Sequence, residues 1–336
     1  MTGPQAACPS CATLVAQADR FCESCGALLV EVPEPEVSRV AIPRTGQAAE
    51  GPCSDCGNST FTDGYCTGCG HRRAEPDRDE ALLGAIALIT DRGLHHARNE
   101  DAAAAGIVSD AVAVVVCDGV STSGEAQLAA VAASKAGVDG MVTALAASKG
   151  ARAAVLAGLA DAAKAAVDVG LGGDSATAPS CTYTAATVVP TSEGAVEITV
   201  GNVGDSRAYW LPDPPAAARQ LTVDDSVAQE LMTAGAAADS ELVQRGAHTL
   251  TRWLGADSEP TPWADSSVQA ITVVGPGSLL LCSDGLWNYL PDPADIARFC
   301  TGTDPTAAAR ALTEFALKAG GHDNITVAVI PIGGAT

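Results

Sequence analysis

Short apolar runs with the length and β-branched content of buried strands recur along most of the chain. They predict strands at residues 84–90, 111–117, 182–189, 195–201, 207–211, 278–282 and 325–330. Two long Ala-rich stretches, 123–148 and 150–168, predict helices that pack as a layer. Because strands and helices rarely alternate one by one, the pattern favours an α+β sandwich in which helices cover the sheets.

The N-terminal region replaces this pattern with a repeated cysteine motif. Each copy has two Cys-x-x-Cys pairs about ten residues apart, and Gly26 or Gly70 follows the second pair. The cysteines are Cys8, Cys11, Cys22 and Cys25 in the first copy, and Cys53, Cys56, Cys66 and Cys69 in the second. Four thiolates so spaced predict a tetrahedral structural Zn²⁺ in each copy; disulfides or an iron site of similar geometry are the alternatives.

The change of pattern along the chain predicts its domain boundaries. The segments that separate the modules are Pro-rich, charged and aperiodic, which is typical of linkers. The predicted boundaries are zinc ribbon 1 at 1–30, a linker at 31–50, zinc ribbon 2 at 51–73, a linker at 74–80 and one large domain at 81–334.

Charge and hydropathy narrow the possible partners and the compartment. The 336 residues include 40 Asp and Glu against 19 Lys and Arg, which argues against a nucleic-acid-binding surface and otherwise favours solubility. No apolar run approaches the roughly 20 residues of a membrane span, and the N-terminus lacks the features of a signal peptide. We therefore expect a cytoplasmic protein that does not bind membranes.

Acidic residues stand where apolar runs end or in turns that contain glycine. Taken singly, each such residue has the ordinary chemistry of a turn. Together, delivered by separate strands, they predict a binuclear site for Mn²⁺ or Mg²⁺, since these hard cations prefer oxygen ligands. The residues are Glu100, Asp101, Asp118, Asp205, Asp284 and Asp323.

The order of these motifs resembles the metal-dependent protein phosphatase family of type 2C (PPM), in its bacterial form. The segments that carry the resemblance are TDRGLHHARNED, VVVCDGV, SCTYTAATVV, VGNVGDSRAYW, LTVDDSVAQELMTAG, HTLTRWLG, LLLCSDGLW and GHDNITVAVI, across roughly residues 84–332. The resemblance implies two antiparallel sheets stacked as a sandwich and flanked by helices. It also implies hydrolysis of phosphoserine or phosphothreonine by metal-activated water.

The resemblance further assigns metal ligands to this chain. Asp118 would bridge two Mn²⁺ or Mg²⁺ ions, with the Gly119 carbonyl group as a further ligand of one of them. Asp284 and Asp323 would hold the second ion. Asp205, together with Asp284, would match the carboxylates that can hold a third, weaker ion.

The region before the metal-binding strand departs from the family pattern. Glu100 and Asp101 match the pair that orients metal-bound water, but His96 stands where the family usually has the arginine that grips the substrate phosphate. A neutral histidine lacks the bidentate, permanently charged contact of arginine. We therefore expect His96, Arg98 and Arg92 to share phosphate binding.

Two functions follow as hypotheses. The first is an active phosphatase, acting on a phosphorylated protein that a Ser/Thr kinase has modified, or on the kinase itself. The second is a weak or inactive relative that only binds phosphoprotein, which the His96 replacement favours and the complete set of carboxylates disfavours. In either case we expect the zinc ribbons to dock proteins rather than nucleic acid, since they carry few basic residues.

Overall fold

The structure is a computed structural model. It describes residues 5–16, 21–27, 29, 35–44, 51–53, 55–62, 65–70, 77–171, 177–191 and 194–333. The chain forms two compact units, Met1–Glu36 and Val37–Thr336. The predicted linker residues 31–34, 45–50 and 74–76 lie outside the described residues.

Strands and helices account for most of the second unit, and a short hairpin lies in the first. The strands are β1 (Gln5–Ala7), β2 (Leu14–Ala16), β3 (Val37–Ile42), β4 (Phe61–Thr62), β5 (Tyr65–Cys66), β6 (Arg78–Leu83), β7 (Ile86–Asp91), β8 (Ala102–Val108), β9 (Ala111–Cys117), β10 (Ser180–Cys181), β11 (Tyr183–Pro190), β12 (Val196–Val203), β13 (Arg207–Pro212), β14 (Arg219–Gln220), β15 (Leu254–Gly255), β16 (Val268–Val273), β17 (Gly277–Cys282) and β18 (Ile325–Ile332). The helices are α1 (Ala126–Ala146), α2 (Ala151–Gly170), α3 (Val227–Thr233), α4 (Glu241–Gly246), α5 (Asp284–Trp287), α6 (Pro293–Cys300) and α7 (Pro305–Ala319), with a 3₁₀ turn at Asp265–Ser267.

Two six-stranded antiparallel sheets form the centre of the second unit. The first has the strand order β16-β12-β11-β9-β8-β3 and the second β14-β13-β17-β18-β7-β6. Alternate side chains of one strand serve different layers: Leu279 and Leu281 of β17 pack between the sheets, whereas Leu280 packs with α7 residues such as Leu312. Helices α1 and α2 cover the first sheet and α5–α7 the second. The predicted α-β-β-α sandwich is confirmed.

Strand β8 was not predicted, because its sequence, AAAAGIV, has the composition of a helix. In the structure, Ala103 and Ala105 face the second sheet while Ala102 and Ala104 pack with the α1–α2 layer. Small side chains allow α1 to approach the sheet closely: a Cβ atom on Gly106 would lie 2.6 Å from Cγ2 of Val142. Composition alone does not distinguish such a strand from a helix.

One described helix, α1, is long and apolar enough to span a membrane by length and composition, which differs from the expectation that no such run exists. Of its apolar window, 56% is buried inside the protein. Because α1 packs against β8 and β9, its apolar character is that of a core helix.

The predicted linker at 31–50 contains the first strand of the sandwich, which corrects that assignment. Strand β3 pairs with β8 over its whole length, from Val37 opposite Val108 to Ile42 opposite Ala103. The second cysteine module therefore lies in the chain between two sandwich strands, β3 and β6. Likewise β6 begins at Arg78, inside the predicted linker 74–80. The other predicted boundaries remain predictions.

A buried ion pair joins the two ends of this insertion. Asp79 on β6 is only 7% exposed and accepts hydrogen bonds from the backbone N–H of Arg44 at 2.6 Å and from its Nε at 3.0 Å. Since Arg44 follows β3, this contact ties the edges of both sheets together at the point where the insertion leaves the sandwich.

Replacing this carboxylate should destabilise the second unit. We expect Asp79→Asn to lower the free energy of unfolding by about 1.5–3 kcal/mol, the usual contribution of hydrogen bonds to a charged group. Urea unfolding measures this change. The matched control is Asp77→Asn, whose side chain is 68% exposed beside Arg92 and should change stability by less than about 0.5 kcal/mol. Equal losses in the two variants would contradict the assignment.

Candidate active site

The ends of strands from both sheets meet around a cleft of about 640 Å³. Strands β9 and β17 end at Cys117 and Cys282, so Asp118 and Asp284 follow them directly. The five predicted metal ligands all line this cleft: Asp118, Gly119, Asp205, Asp284 and Asp323. The structure therefore brings together residues that are separated by as much as two hundred positions in the sequence.

Hydrogen bonds fix the backbone of Asp118. Its N–H donates to Oγ1 of Thr182 at 3.0 Å, and the N–H of Thr182 donates to the Asp118 carbonyl at 2.7 Å. Thr182 Oγ1 is in turn 2.8 Å from Oγ of buried Ser206. The carboxylate of Asp118 is thus held on a rigid part of the first sheet.

Asp284 begins helix α5, which packs unusually tightly against the start of β18. A Cβ atom on Gly285 would lie 2.0 Å from the carbonyl oxygen of Asn324, so only glycine fits there. This close approach places Asp284 beside Asp323, whose pKa is raised by burial and by repulsion from Asp284.

The cleft concentrates negative charge where water is largely excluded. Burial raises the pKa of Asp118 well above its usual range, and repulsion from Asp101, Asp284 and Asp205 adds to the shift. Burial, followed by repulsion from Asp284, raises the pKa of Asp205 to about 8. Buried charges of one sign are costly unless an opposite charge compensates them.

The unsatisfied oxygens of this cleft fit a hard divalent cation. Oδ1 of Asp284 and Oδ1 of Asp101 are buried and have no hydrogen-bond partner among the described residues. Carboxylate oxygens, with the Gly119 carbonyl beside them, are the ligands that Mg²⁺ and Mn²⁺ prefer. The donor set therefore fits the predicted metals.

Glu100 and Asp101 do not line the cleft but lie behind it. Asp101 is 1% exposed and accepts a hydrogen bond from Oγ of Ser283 at 2.7 Å. Burial raises its pKa to about 7. Glu100 is half-buried, and burial raises its pKa as well. This placement suits the predicted role of orienting water around the ions, which remains a prediction.

Asn324, to which the sequence gave no role, holds the loop that carries Glu100. Its Nδ2 donates to the carbonyl oxygens of Arg92 at 2.7 Å and Arg98 at 3.1 Å, and its Oδ1 accepts from the N–H of Glu100 at 2.8 Å. Asn324 follows Asp323 within a motif already singled out, but its role depends on contacts more than two hundred residues away.

The three predicted phosphate-binding residues have different surroundings. Nε of Arg92 pairs with Asp77 at 2.8 Å, and its Nη1 donates to the His96 carbonyl, so this guanidinium is already engaged. Nε2 of His96 lies 3.1 Å from Oδ1 of Asp323. Arg98 is 55% exposed, with Nε 3.7 Å from Glu100. Arg92 is thus poorly placed for its predicted role, whereas Arg98 is available.

His248 lies in the cleft and was not identified from the sequence. Its Nδ1 is 3.4 Å from Oδ2 of Asp284, and this hydrogen bond raises the pKa of the imidazole. The motif HTLTRWLG contributed to the family resemblance, but a lone histidine in a loop carries no signal of its own. Only the fold brings it next to Asp205 and Asp284.

The two cysteine modules each gather four sulfur atoms. The Sγ–Sγ distances are 3.7 Å for Cys8–Cys25, 3.6 Å for Cys11–Cys22, 3.6 Å for Cys53–Cys69 and 3.5 Å for Cys56–Cys66. A tetrahedron with Zn–S bonds of about 2.3 Å has edges of about 3.8 Å, whereas disulfide sulfurs lie about 2 Å apart. All eight thiols are free, so the alternative of disulfides is not what the structure contains.

Glycines end the knuckles as predicted. Gly26 and Gly70 have φ values of 73° and 75°, and the N–H of each donates to the carbonyl of the first cysteine in its pair. This left-handed conformation turns the backbone back so that both sulfurs of the pair face the same point.

Comparison with known proteins places this geometry among phosphatases. No family model matches the chain. The chain resembles the crystal structure of the PPM Ser-Thr phosphatase MsPP from Mycobacterium smegmatis, with 30% identity, a TM-score of 0.57 and coverage of 75% of this chain and 100% of that one. The catalytic domain of the phosphatase PstP in complex with two manganese ions is 26% identical, with a TM-score of 0.50, and covers 73% of this chain and 96% of that one.

A curated relative agrees with these structures over a shorter region. The serine/threonine phosphatase stp of Listeria welshimeri is 34% identical over 146 residues, which cover 40% of this chain and 51% of that protein. The chain therefore spans about half the length of the curated relatives it matches.

The α-β-β-α sandwich with a carboxylate cleft at the strand ends defines a class of metal-binding hydrolase folds. Within that class, the chain belongs to the PPM family of serine/threonine phosphatases, because the 30% identity extends over the whole length of the mycobacterial enzyme. The resemblance expected from the sequence is confirmed.

Asp101 makes the stability of the metal-free protein depend on pH. An unfolded Asp titrates near pH 4, whereas the folded pKa is about 7, so the folded state binds the extra proton between these values. Stability should therefore fall as pH rises from about 4 to about 7, by an amount on the order of a few kcal/mol, and Asp101→Asn should flatten this part of the profile. Urea unfolding at pH 5 and pH 7.5 after removal of divalent ions measures it. The exposed Asp110→Asn is the control; a wild-type slope in Asp101→Asn would refute the assignment.

The loop at 92–100 should depend on Asn324. We expect Asn324→Ala to cost about 1–3 kcal/mol of stability, since it leaves buried carbonyl groups unsatisfied, and to increase hydrogen exchange in this loop. Mass spectrometry of peptides that cover residues 92–101 reports the exchange. Asn288→Ala, which removes one 3.3 Å hydrogen bond to Asp284 at an exposed position, should leave that loop unchanged. Unchanged exchange in Asn324→Ala would show that other contacts hold the loop.

Proposed function

We propose that this protein is a Mn²⁺- or Mg²⁺-dependent phosphatase that hydrolyses phosphoserine or phosphothreonine in proteins. The observation that carries the proposal is the group of buried carboxylates that strands of both sheets bring to one cleft, with Asp284 Oδ1 left unpartnered. Its membership of the PPM family and its likeness to a relative determined with two manganese ions support the choice of reaction and of metal.

Four residues would hold the two ions. Asp118 is the candidate bridging ligand, with the Gly119 carbonyl beside it, and Asp284 and Asp323 are the candidates for the second ion. Such ions, when bound, neutralise phosphate charge and supply a water-derived nucleophile at neutral pH.

The other groups of the chain position and exclude. Asp101 and Ser283 form a buried hydrogen-bonded pair behind Asp118 and Asp284, which keeps the rear of the site dry. Arg98 is the arginine of the 92–100 loop that remains exposed, so it is our candidate for contacting the substrate phosphate. His96, held against Asp323, would orient that ligand and contact phosphate only after turning away from it.

A second candidate function is phosphoprotein binding without turnover. It is favoured by the same loop, because Arg92 is engaged by Asp77 and His96 faces Asp323, so no guanidinium is held in advance for the phosphate. The complete set of carboxylates in the cleft argues for the active enzyme.

The cysteine modules would bind one structural Zn²⁺ each and dock a protein, such as the phosphorylated substrate or a Ser/Thr kinase. The sulfur spacings support zinc, and the acidic charge of the chain supports a protein partner over nucleic acid. Free thiols in both modules are consistent with a reducing compartment, and we place the protein in the cytoplasm.

Hydrolysis of p-nitrophenyl phosphate and of a phosphothreonine peptide tests the proposal. With Mn²⁺ the full chain should turn over both, a chelator should stop it, and Asp284→Asn should lower kcat/KM by more than about a hundredfold, because metal ions contribute several kcal/mol to such reactions. The control Asp265→Asn changes a fully exposed carboxylate and should leave the rate unchanged.

Two outcomes would contradict the enzyme. Turnover that persists in Asp284→Asn would place the chemistry elsewhere. Absence of turnover with Mn²⁺, while the phosphothreonine peptide still binds by calorimetry, would establish the second candidate function instead.

A further inference from the structure

His248 completes a cluster that the family resemblance does not supply. Ligand atoms of Asp205, His248 and Asp284 all lie within 4.8 Å of one another, and all three residues line the cleft. The resemblance assigns only the two carboxylates to a third ion. An imidazole beside them changes the chemistry of the site, because nitrogen is a softer donor than carboxylate oxygen.

We propose that Asp205, His248 and Asp284 form a mixed nitrogen–oxygen site that selects a transition-metal ion, such as Mn²⁺, over Mg²⁺. Its ligands would be one imidazole nitrogen and one oxygen from each carboxylate. This inference goes beyond the proposed phosphatase activity, since it concerns which ion the third position takes and does not require turnover.

Trp287 orients the imidazole and the loop that carries Asp205 together. The His248 ring stacks on the indole, with ring centres 5.8 Å apart and planes 10° apart. The indole Nε1–H donates to the carbonyl oxygen of Asp205 at 2.9 Å. On the same indole, the guanidinium of Arg207 lies 3.6 Å from the ring centre and is itself paired with Asp224 at 2.7 Å. The cluster is therefore preorganised by a packed aromatic residue.

An ion pair between His248 and Asp284 alone does not account for this arrangement. Such a pair leaves Oδ1 of Asp284 buried without a partner. It also leaves Asp205, which is 5% exposed, without an ion pair to any lysine or arginine among the described residues. A divalent cation would serve both carboxylates at once and accept the imidazole nitrogen as a further ligand.

Pulsed EPR of the full chain with Mn²⁺ alone tests the site directly. Imidazole coordination gives ¹⁴N modulation on the Mn²⁺ signal, and we expect it in the wild type. His248→Asn should abolish it and weaken Mn²⁺ binding at this position by more than about tenfold in calorimetry. About a hundredfold excess of Mg²⁺ should displace this Mn²⁺ from His248→Asn but not from the wild type.

His96→Asn is the matched control, because its imidazole also faces a metal-binding carboxylate, 3.1 Å from Asp323. It should keep the ¹⁴N modulation. Modulation that is absent from the wild type, or that is lost in His96→Asn and kept in His248→Asn, overturns the inference. Should His248→Asn fail to fold, the wild type and His96→Asn decide, since modulation in both supports His248.

Turnover is measured separately in the same samples, so that the two proposals fail independently. Hydrolysis without ¹⁴N modulation would overturn the His248 site and leave the phosphatase proposal intact. Modulation without hydrolysis would support the site and count against the activity.

Discussion

Mutual repulsion among buried carboxylates is the constraint on which the rest of the structure depends. Asp118, Asp205 and Asp284 occupy one cleft, and burial with mutual repulsion raises the pKa values of the first two. Such an arrangement opposes folding unless the surrounding structure holds it, and it favours any divalent cation that can compensate the charge. The hydrogen bonds of Thr182 and Asn324 supply part of that support from the two sheets.

The sandwich can support this cost because its layers are built separately from the cleft. Alternating side chains along each central strand fill a core between the sheets and a second core beneath the helices, so the carboxylates need only follow the last buried residue. Close backbone contacts then set their spacing, above all at Gly285 against Asn324. A rigid scaffold of this kind keeps ligands in position before any ion binds, which is the usual requirement for a metal-dependent hydrolase.

The same scaffold accommodates a cysteine module between two of its strands. Because β3 and β6 belong to different sheets and Arg44 pairs with Asp79 where the insertion begins and ends, the second module is anchored at both ends. The first module belongs to a separate unit, Met1–Glu36. Only the second is therefore an integral insertion of the phosphatase fold, although the two share one cysteine pattern.

The sequence by itself determined the strands rich in Val, Ile and Leu, the two long helices, both cysteine modules and the five cleft ligands, because local composition and short motifs carry these features. Tertiary structure alone decided that AAAAGIV is a strand, that the supposed linker contains β3, and that Arg92 is engaged by Asp77. It also decided that Asn324 and His248 belong to the site. These features depend on contacts between residues far apart in the chain, which no local pattern records: an Ala-rich segment becomes a strand only where neighbouring strands pair with it, and a histidine becomes a candidate ligand only where two carboxylates face it.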